Sequence, residues 1–275
     1  MEKEEISTYL ERVKTRLKLR GLSENTINSY TFFLKPFLES IEDHKTINLE
    51  QVESFSASLV GRYSKKSRAL AISSLRFFFR RVMDWPEIYV NLEVPKKEKK
   101  LPIVLSVDEM KSLIESPKSK KSTLIIKLLY SSGLRVSEIV NLKVIDLDFQ
   151  QNSGWVRSGK GQKDRLFQIS KTLSNQLQKY LKKHPNNIYI FSEKKPMSKR
   201  NIQSILERAA RKAGLTKKVS PHTLRHSFAT HLLESGANLL VIQQLLGHES
   251  LETTKIYTHI SKSQLREVKN PLDRL

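Results

Sequence analysis

The chain contains no cysteine among its 275 residues, which excludes a disulfide scaffold, thiolate metal sites and thiol catalysis. It has no apolar run near the ~20 residues that a membrane-spanning helix requires. Its first residues, Met1-Glu2-Lys3-Glu4-Glu5, do not read as a signal peptide. A cytoplasmic protein with no membrane partner is expected. Acidic residues are short: 28 stand against 49 lysines and arginines, a net charge of +21. The 38% apolar content still suffices for folded cores, so the charge is not that of a disordered polycation. Such a surplus draws a large anionic partner, and nucleic acid fits through phosphate neutralisation and counterion release. The plainer reading is a lysine-rich surface of the kind that thermal adaptation produces.

The surplus is uneven. Residues 1–92 carry 15 basic against 12 acidic groups, residues 93–102 carry 4 against 2, and residues 103–275 carry 30 against 14. The middle stretch, with Pro95 and Pro102 around a lysine run, has no periodic apolar face and reads as a charged linker. Before it, apolar spacings of three and four predict helices over about 6–17, from Ser23 to Leu38, over 49–60 and over 65–83. Arg62, Lys65, Lys66, Arg68, Arg76, Arg80 and Arg81 gather near the end of that bundle, on a solvated or a phosphate-facing side. After the linker, Ser106 and Glu109 form a capping-box pattern, and a core helix runs from Thr123 to a stop at Gly133. Residues 144–169 change to strand period, with Trp155-Val156-Arg157 and Arg165–Ile169 flanking a glycine-rich turn, a hairpin or short meander. Helices return from 198.

Several residues carry possible chemistry. Ser220 and Pro221 open a helix as N-cap and N1, which places His222 and Arg225 in its first turn at the positive end of the dipole, an anion site. His222 and His226 have the i, i+4 spacing of helical zinc sites, but Thr223 stands where the glutamate of such a motif belongs and no third ligand is evident. No metal and no cofactor are therefore expected. A helix over 239–246 ends at Gly247, His248 follows in the turn, and Ser250 can cap a short helix carrying Tyr257. Helix, glycine turn and helix also describe a helix-turn-helix. Gly133-Leu134-Arg135 marks a helix junction with Glu138 one turn on, where the simple reading is a salt-bridged arginine.

In this order, Gly133-Leu134-Arg135-Val136-Ser137-Glu138, Gly159-Lys160-Gly161 with Lys163 and Arg165, His222-Thr223-Leu224-Arg225-His226, and Leu246-Gly247-His248 with Tyr257 resemble the tyrosine recombinase (phage integrase) family. The compact layout is most similar to the Xer type, and zero cysteine with abundant lysine leans toward its archaeal branch. The resemblance implies a mainly α chain: an N-terminal helical, SAM-like core-binding domain over 1–92, a linker over 93–102, and an α+β catalytic domain over 103–275 with a small antiparallel sheet and a C-terminal tail. It implies site-specific cutting and rejoining of double-stranded DNA through a 3′-phosphotyrosine, by a homo-tetramer on two duplexes, most simply for chromosome dimer resolution. By carry-over Tyr257 is the nucleophile, Arg135 and Arg225 hold the phosphate, His222 is base or relay, Lys160 is the acid for the leaving oxygen, His248 bonds the phosphate, and Glu138 supports. The tail from about Ser261 to Leu275 has a short amphipathic pattern that would dock on a neighbouring protomer or on its own domain. The alternatives are a type IB topoisomerase with the same chemistry, or a non-catalytic helix-turn-helix protein. No accessory protein is named by the pattern.

Overall fold

The computed structural model describes residues 3–43, 46–95, 101–157 and 164–247. Lys160, His248, Tyr257, the Ser250-capped helix, the tail and part of the linker lie outside the described residues. The chain divides into two compact units, Met1–Lys100 and Leu101–Leu275.

The first unit is helical: α1 (Lys3–Leu19), α2 (Glu24–Glu39), α3 (Leu49–Ser58), α4 (Lys65–Phe78) and a short α5 (Pro86–Tyr89). Ser23 caps α2 by accepting from the Thr26 N–H at 3.3 Å, and Asn48 and Gln51 cap α3 reciprocally at 3.0 Å. The helix expected over 65–83 does not run straight through. Phe79–Met83 form a π-turn, closed where Asp84 adopts φ 59° and the Trp85 N–H reaches back to the Phe79 carbonyl at 3.0 Å. Consecutive side chains of a regular helix fan out by about 100° each. The widened turn goes with the burial of Phe77, Phe78, Phe79 and Val82 in one core. Phe79 meets Phe37 and Phe78 edge-on at 5.9 and 5.2 Å and stacks on Trp85. Of the basic cluster, Arg62, Lys65, Lys66, Arg80 and Arg81 are exposed, while Arg68 and Arg76 are half-buried.

The second unit begins with α6 (Val107–Glu115), where the Ser106–Glu109 capping box forms as its pattern predicts. α7 (Lys120–Ser132) buries Leu124, Ile125, Ile126, Leu128 and Leu129 and is the central core helix. α8 (Val136–Asn141) and a 3-10 turn (Val144–Asp146) lead into an antiparallel sheet of β1 (Leu147–Asp148), β2 (Ser153–Val156) and β3 (Arg165–Gln168), in the order β1-β2-β3. The meander thus has a third, two-residue strand. α9 (Lys171–Lys182), α10 (Lys199–Lys212), α11 (Pro221–Glu234) and α12 (Leu239–Leu246) follow. α9 lies ahead of the point where helices were expected to return. Ser170 caps it, and Leu173 and Leu177, buried, recur with half-buried Tyr180 and Leu181 at spacings of four, three and one, a helical period that the sequence reading passed over.

Two glycines end the helices that frame the site. Gly133 closes α7 at φ +60° and Gly247 closes α12 at φ +62°. A Cβ at Gly133 would lie 2.6 Å from the Phe228 ring and 2.8 Å from Leu246, whereas one at Gly214 (φ +68°) would meet nothing within 4 Å. Gly214→Ala should therefore cost the left-handed backbone strain alone, about 1 kcal/mol. Gly133→Ala adds overpacking and should cost about 3 kcal/mol. Urea unfolding of both variants checks this order.

Candidate active site

α11 starts as its sequence dictates, with the Ser220 hydroxyl accepting from the Thr223 N–H at 3.2 Å and Pro221 at N1. His222, in the first turn, is exposed. Arg225, one turn on, is only 3% exposed. Its Nη1 donates to the Gly133 carbonyl and its Nη2 to the Leu246 carbonyl, each at 2.6 Å. Both acceptors lie at C-terminal helix ends, where unpaired carbonyls concentrate partial negative charge.

Arg135 is the N-cap of α8. Its backbone N–H donates to Glu138 Oε2 at 2.7 Å, its Nη1 to Glu138 Oε1 at 2.8 Å, and its Nη2 to the Gly247 carbonyl at 3.0 Å. Its side chain is 36% exposed, and its other guanidinium N–H groups lie outside these bonds. Glu138 takes a second guanidinium: Arg165 Nη2 donates to Oε2 at 2.6 Å, and Arg165 Nη1 donates to the Leu245 carbonyl. The last three residues of the α12 end, Leu245, Leu246 and Gly247, thereby offer successive carbonyls to Arg165, Arg225 and Arg135.

Burial pushes the Glu138 carboxyl up, but the Arg165 charge and the hydrogen bonds from Arg135 and Arg165 outweigh it and hold the group below its ordinary value. Burial draws the Arg165 guanidinium down, and Glu138 opposes that shift. Arg135 and Arg165 share this one carboxylate while Arg225 is held by backbone carbonyls, so the cluster is left cationic. His226, its ring centroid 6.4 Å from that of His222, is lowered to about 4 by burial, with His222 and Arg225 adding to the effect, and is neutral near pH 7.

The structure brings Arg135, Glu138 and Arg225 together as the sequence pattern pairs them. The salt-bridged arginine at the α7–α8 junction is real, and its carboxylate is shared. His222 sits on the helix of Arg225 but in the open. The strand register ends at Val156↔Arg165, so the segment containing Lys160 leaves from a strand pair whose Arg165 bonds Glu138. Sequence reasoning missed Arg165 as a site residue. The signal was the strand alternation, which puts Arg165 on the side of buried Phe167 and Ile169 while Leu166 and Gln168 face out.

Among the described residues, no group of three histidine, aspartate or glutamate side chains is placed to hold a metal, and no helix is long and apolar enough to cross a membrane. Residues 104–264 match the Phage integrase family, and residues 9–87 match the phage integrase N-terminal SAM-like domain.

The chain belongs to the phage integrase family.

It is a site-specific tyrosine recombinase of the Xer type, similar to the archaeal branch. It is 39% identical to the tyrosine recombinase XerA of Pyrococcus horikoshii over 97% of this chain and 94% of the relative. Among solved structures, it is 35% identical to a XerA recombinase, with a TM-score of 0.57 over 94% of this chain and 96% of that one. It is 26% identical to a XerH site-specific recombinase bound to a palindromic difH substrate in a post-cleavage complex, with a TM-score of 0.75 over 94% and 82%.

In this recombinase the Glu138 clasp predicts a stability profile. A carboxyl held below its unfolded value stabilises above the ordinary value of 4.5, and that contribution is lost as pH falls through the folded value. Glu138→Gln leaves two guanidiniums without their counter-charge and should cost about 3 kcal/mol at pH 7. The variant's deficit should shrink on acidification, as read from denaturant midpoints at pH 7, 5, 4 and 3.

Proposed function

We propose that this recombinase cuts and rejoins double-stranded DNA at a specific site, with Tyr257 as nucleophile and Arg135, Lys160, His222, Arg225 and His248 as its partners. A phenol with a pKa of ~10 attacks poorly at neutral pH, so it needs a base and a primed electrophile. Arg135 and Arg225 prime the phosphorus. Their guanidiniums take non-bridging oxygens and oppose the charge of the pentavalent transition state. His222, open at the start of α11, takes the phenol proton. As the tyrosine oxygen bonds phosphorus, the bond to the 5′-oxygen breaks and Lys160 supplies that oxygen with its proton. His248 adds a hydrogen bond to the phosphate, and Glu138 holds Arg135. Religation is the reverse reaction with an incoming 5′-hydroxyl. The bond energy stays in the phosphotyrosine, so the scheme draws on no nucleotide, and the charge work given to metals in other nucleases falls to the cations.

The single observation that supports this reading best is the joint anchoring of Arg135 and Arg225 on the adjacent Leu246 and Gly247 carbonyls, with further Arg135 donors left for an anion. DNA as the substrate also accords with the net charge of +21 and with the difH complex of the XerH relative. In this reading residues 1–92 bind the core site, 93–102 link, and 103–275 catalyse. Exchange between two duplexes breaks four strands, one per active site, so the working form is a homo-tetramer with two protomers active at a time. Chromosome dimer resolution in the cytoplasm is the role that fits the Xer type.

Wild-type protein on a nicked suicide substrate should give a denaturant-resistant protein–DNA adduct, and Tyr257→Phe should give none. Arg135→Ala should retain DNA binding and lose cleavage by about 100- to 1000-fold. Joints between different duplexes, scored on the same gels, separate a recombinase from an enzyme that only relaxes supercoils. An adduct that survives Tyr257→Phe overturns the assignment.

A further inference from the structure

We propose that Arg165 is a positioning residue that locks the hairpin bearing Lys160 onto the two-arginine cradle and so sets proton delivery to the leaving 5′-oxygen. The inference rests on the reading of Lys160 as the acid. The strand pairing of β2 with β3 ends at Val156↔Arg165, which leaves residues 157–164 as the connection. Hairpin loops commonly run to about 2–5 residues, and longer connections have more conformations open to them, so contacts at the base matter more. Two ion pairs among the described residues hold this base. Arg157 Nε meets Asp146 at 3.0 Å, but its side chain is 66% exposed, so solvent screens the pair. Arg165 meets Glu138 at 2.6 Å with both side chains about nine-tenths buried.

The Arg165 bonds reach both halves of the cradle. The Glu138 oxygen that accepts from Arg165 also accepts the backbone N–H of Arg135. The Leu245 carbonyl that accepts from Arg165 directly precedes the Leu246 carbonyl bound by Arg225. The arginine stem passes over Gly247 so closely that a Cβ there would lie 2.5 Å from Arg165 Cδ and 3.0 Å from Nε. Stability alone does not call for this arrangement. The Arg165 Nε is buried without an acceptor among the described residues, and a buried ion pair is often matched or bettered by an apolar side chain of similar volume. A rigid strut between β3, Glu138 and the end of α12 gives the burial a purpose.

The test uses the full-length protein on two suicide duplexes that differ in one atom. One carries the natural bridging 5′-oxygen, and the other carries sulfur, which departs as a thiolate without needing a proton. Arg165→Met should cleave the oxygen substrate about 100-fold more slowly than wild type, the scale of one misplaced general acid, and should cleave the sulfur substrate within about threefold of wild type by the same measure. Lys160→Ala, run alongside, should show the same sulfur rescue. If Lys160→Ala is rescued and Arg165→Met is slowed equally on both substrates, Arg165 does not act through Lys160 and the proposal is overturned. If Lys160→Ala is not rescued, the acid assignment itself fails and this inference falls with it. Arg165→Lys guards against misfolding, because it keeps a cation opposite Glu138 yet cannot span both acceptors. It should lose about tenfold on oxygen alone, and an equal loss on both substrates, or none on either, also overturns the proposal.

Discussion

Leu245, Leu246 and Gly247 end α12 with three carbonyl oxygens that its own helix cannot satisfy, and three arginines from three other segments supply the missing donors. Arg165 comes from a strand, Arg225 from the interior of α11 and Arg135 from the cap of α8. The helix end that needs donors thereby fixes three cations, two of which, Arg135 and Arg225, hold the phosphate in the proposed chemistry. Gly133 supplies a fourth carbonyl, at the end of α7, so that Arg225 joins two helix termini.

Backbone carbonyls are neutral. Arginines held by them stay oriented without losing their charge to a counter-ion, and Glu138 pairs with two of the three. A site built from arginine–carboxylate pairs throughout would be as rigid but would repel a phosphate as strongly as it drew one. Exposure divides the roles further: Arg225 is buried and anchored, while Arg135 stands at the edge with donors to spare. His226, on the same helix as His222, is kept neutral by burial and adds no charge near pH 7.

Much of this was legible beforehand because it is local. Ser106 with Glu109, Ser23, and Ser220 with Pro221 begin helices through bonds spanning three residues, and Gly133 and Gly247 end them through a backbone region that other residues avoid. The Arg135–Glu138 pair is one turn of one helix. The π-turn at Phe79–Met83 was not legible, since it answers to the packing of three consecutive phenylalanines against a core. α9 was passed over although Leu173, Leu177, Tyr180 and Leu181 recur at helical spacing, so it was legible in the sequence. Arg165 escaped because a cation on the buried face of a strand contradicts its pattern until the carboxylate it meets, 27 residues away, is in place.

By itself the sequence determined where helices start and stop, which residues enter a core, that the partner is anionic, and the ordered set of side chains that resembles the family. Each of these depends on neighbours within a turn or on summed charge. Only the tertiary structure decided that Arg135, Arg165 and Arg225 meet at one helix end, and that one of them is open while two are closed off. Those bonds join residues 21 to 112 positions apart, and chain closure over such distances is set by the packing of the whole unit rather than by any local preference.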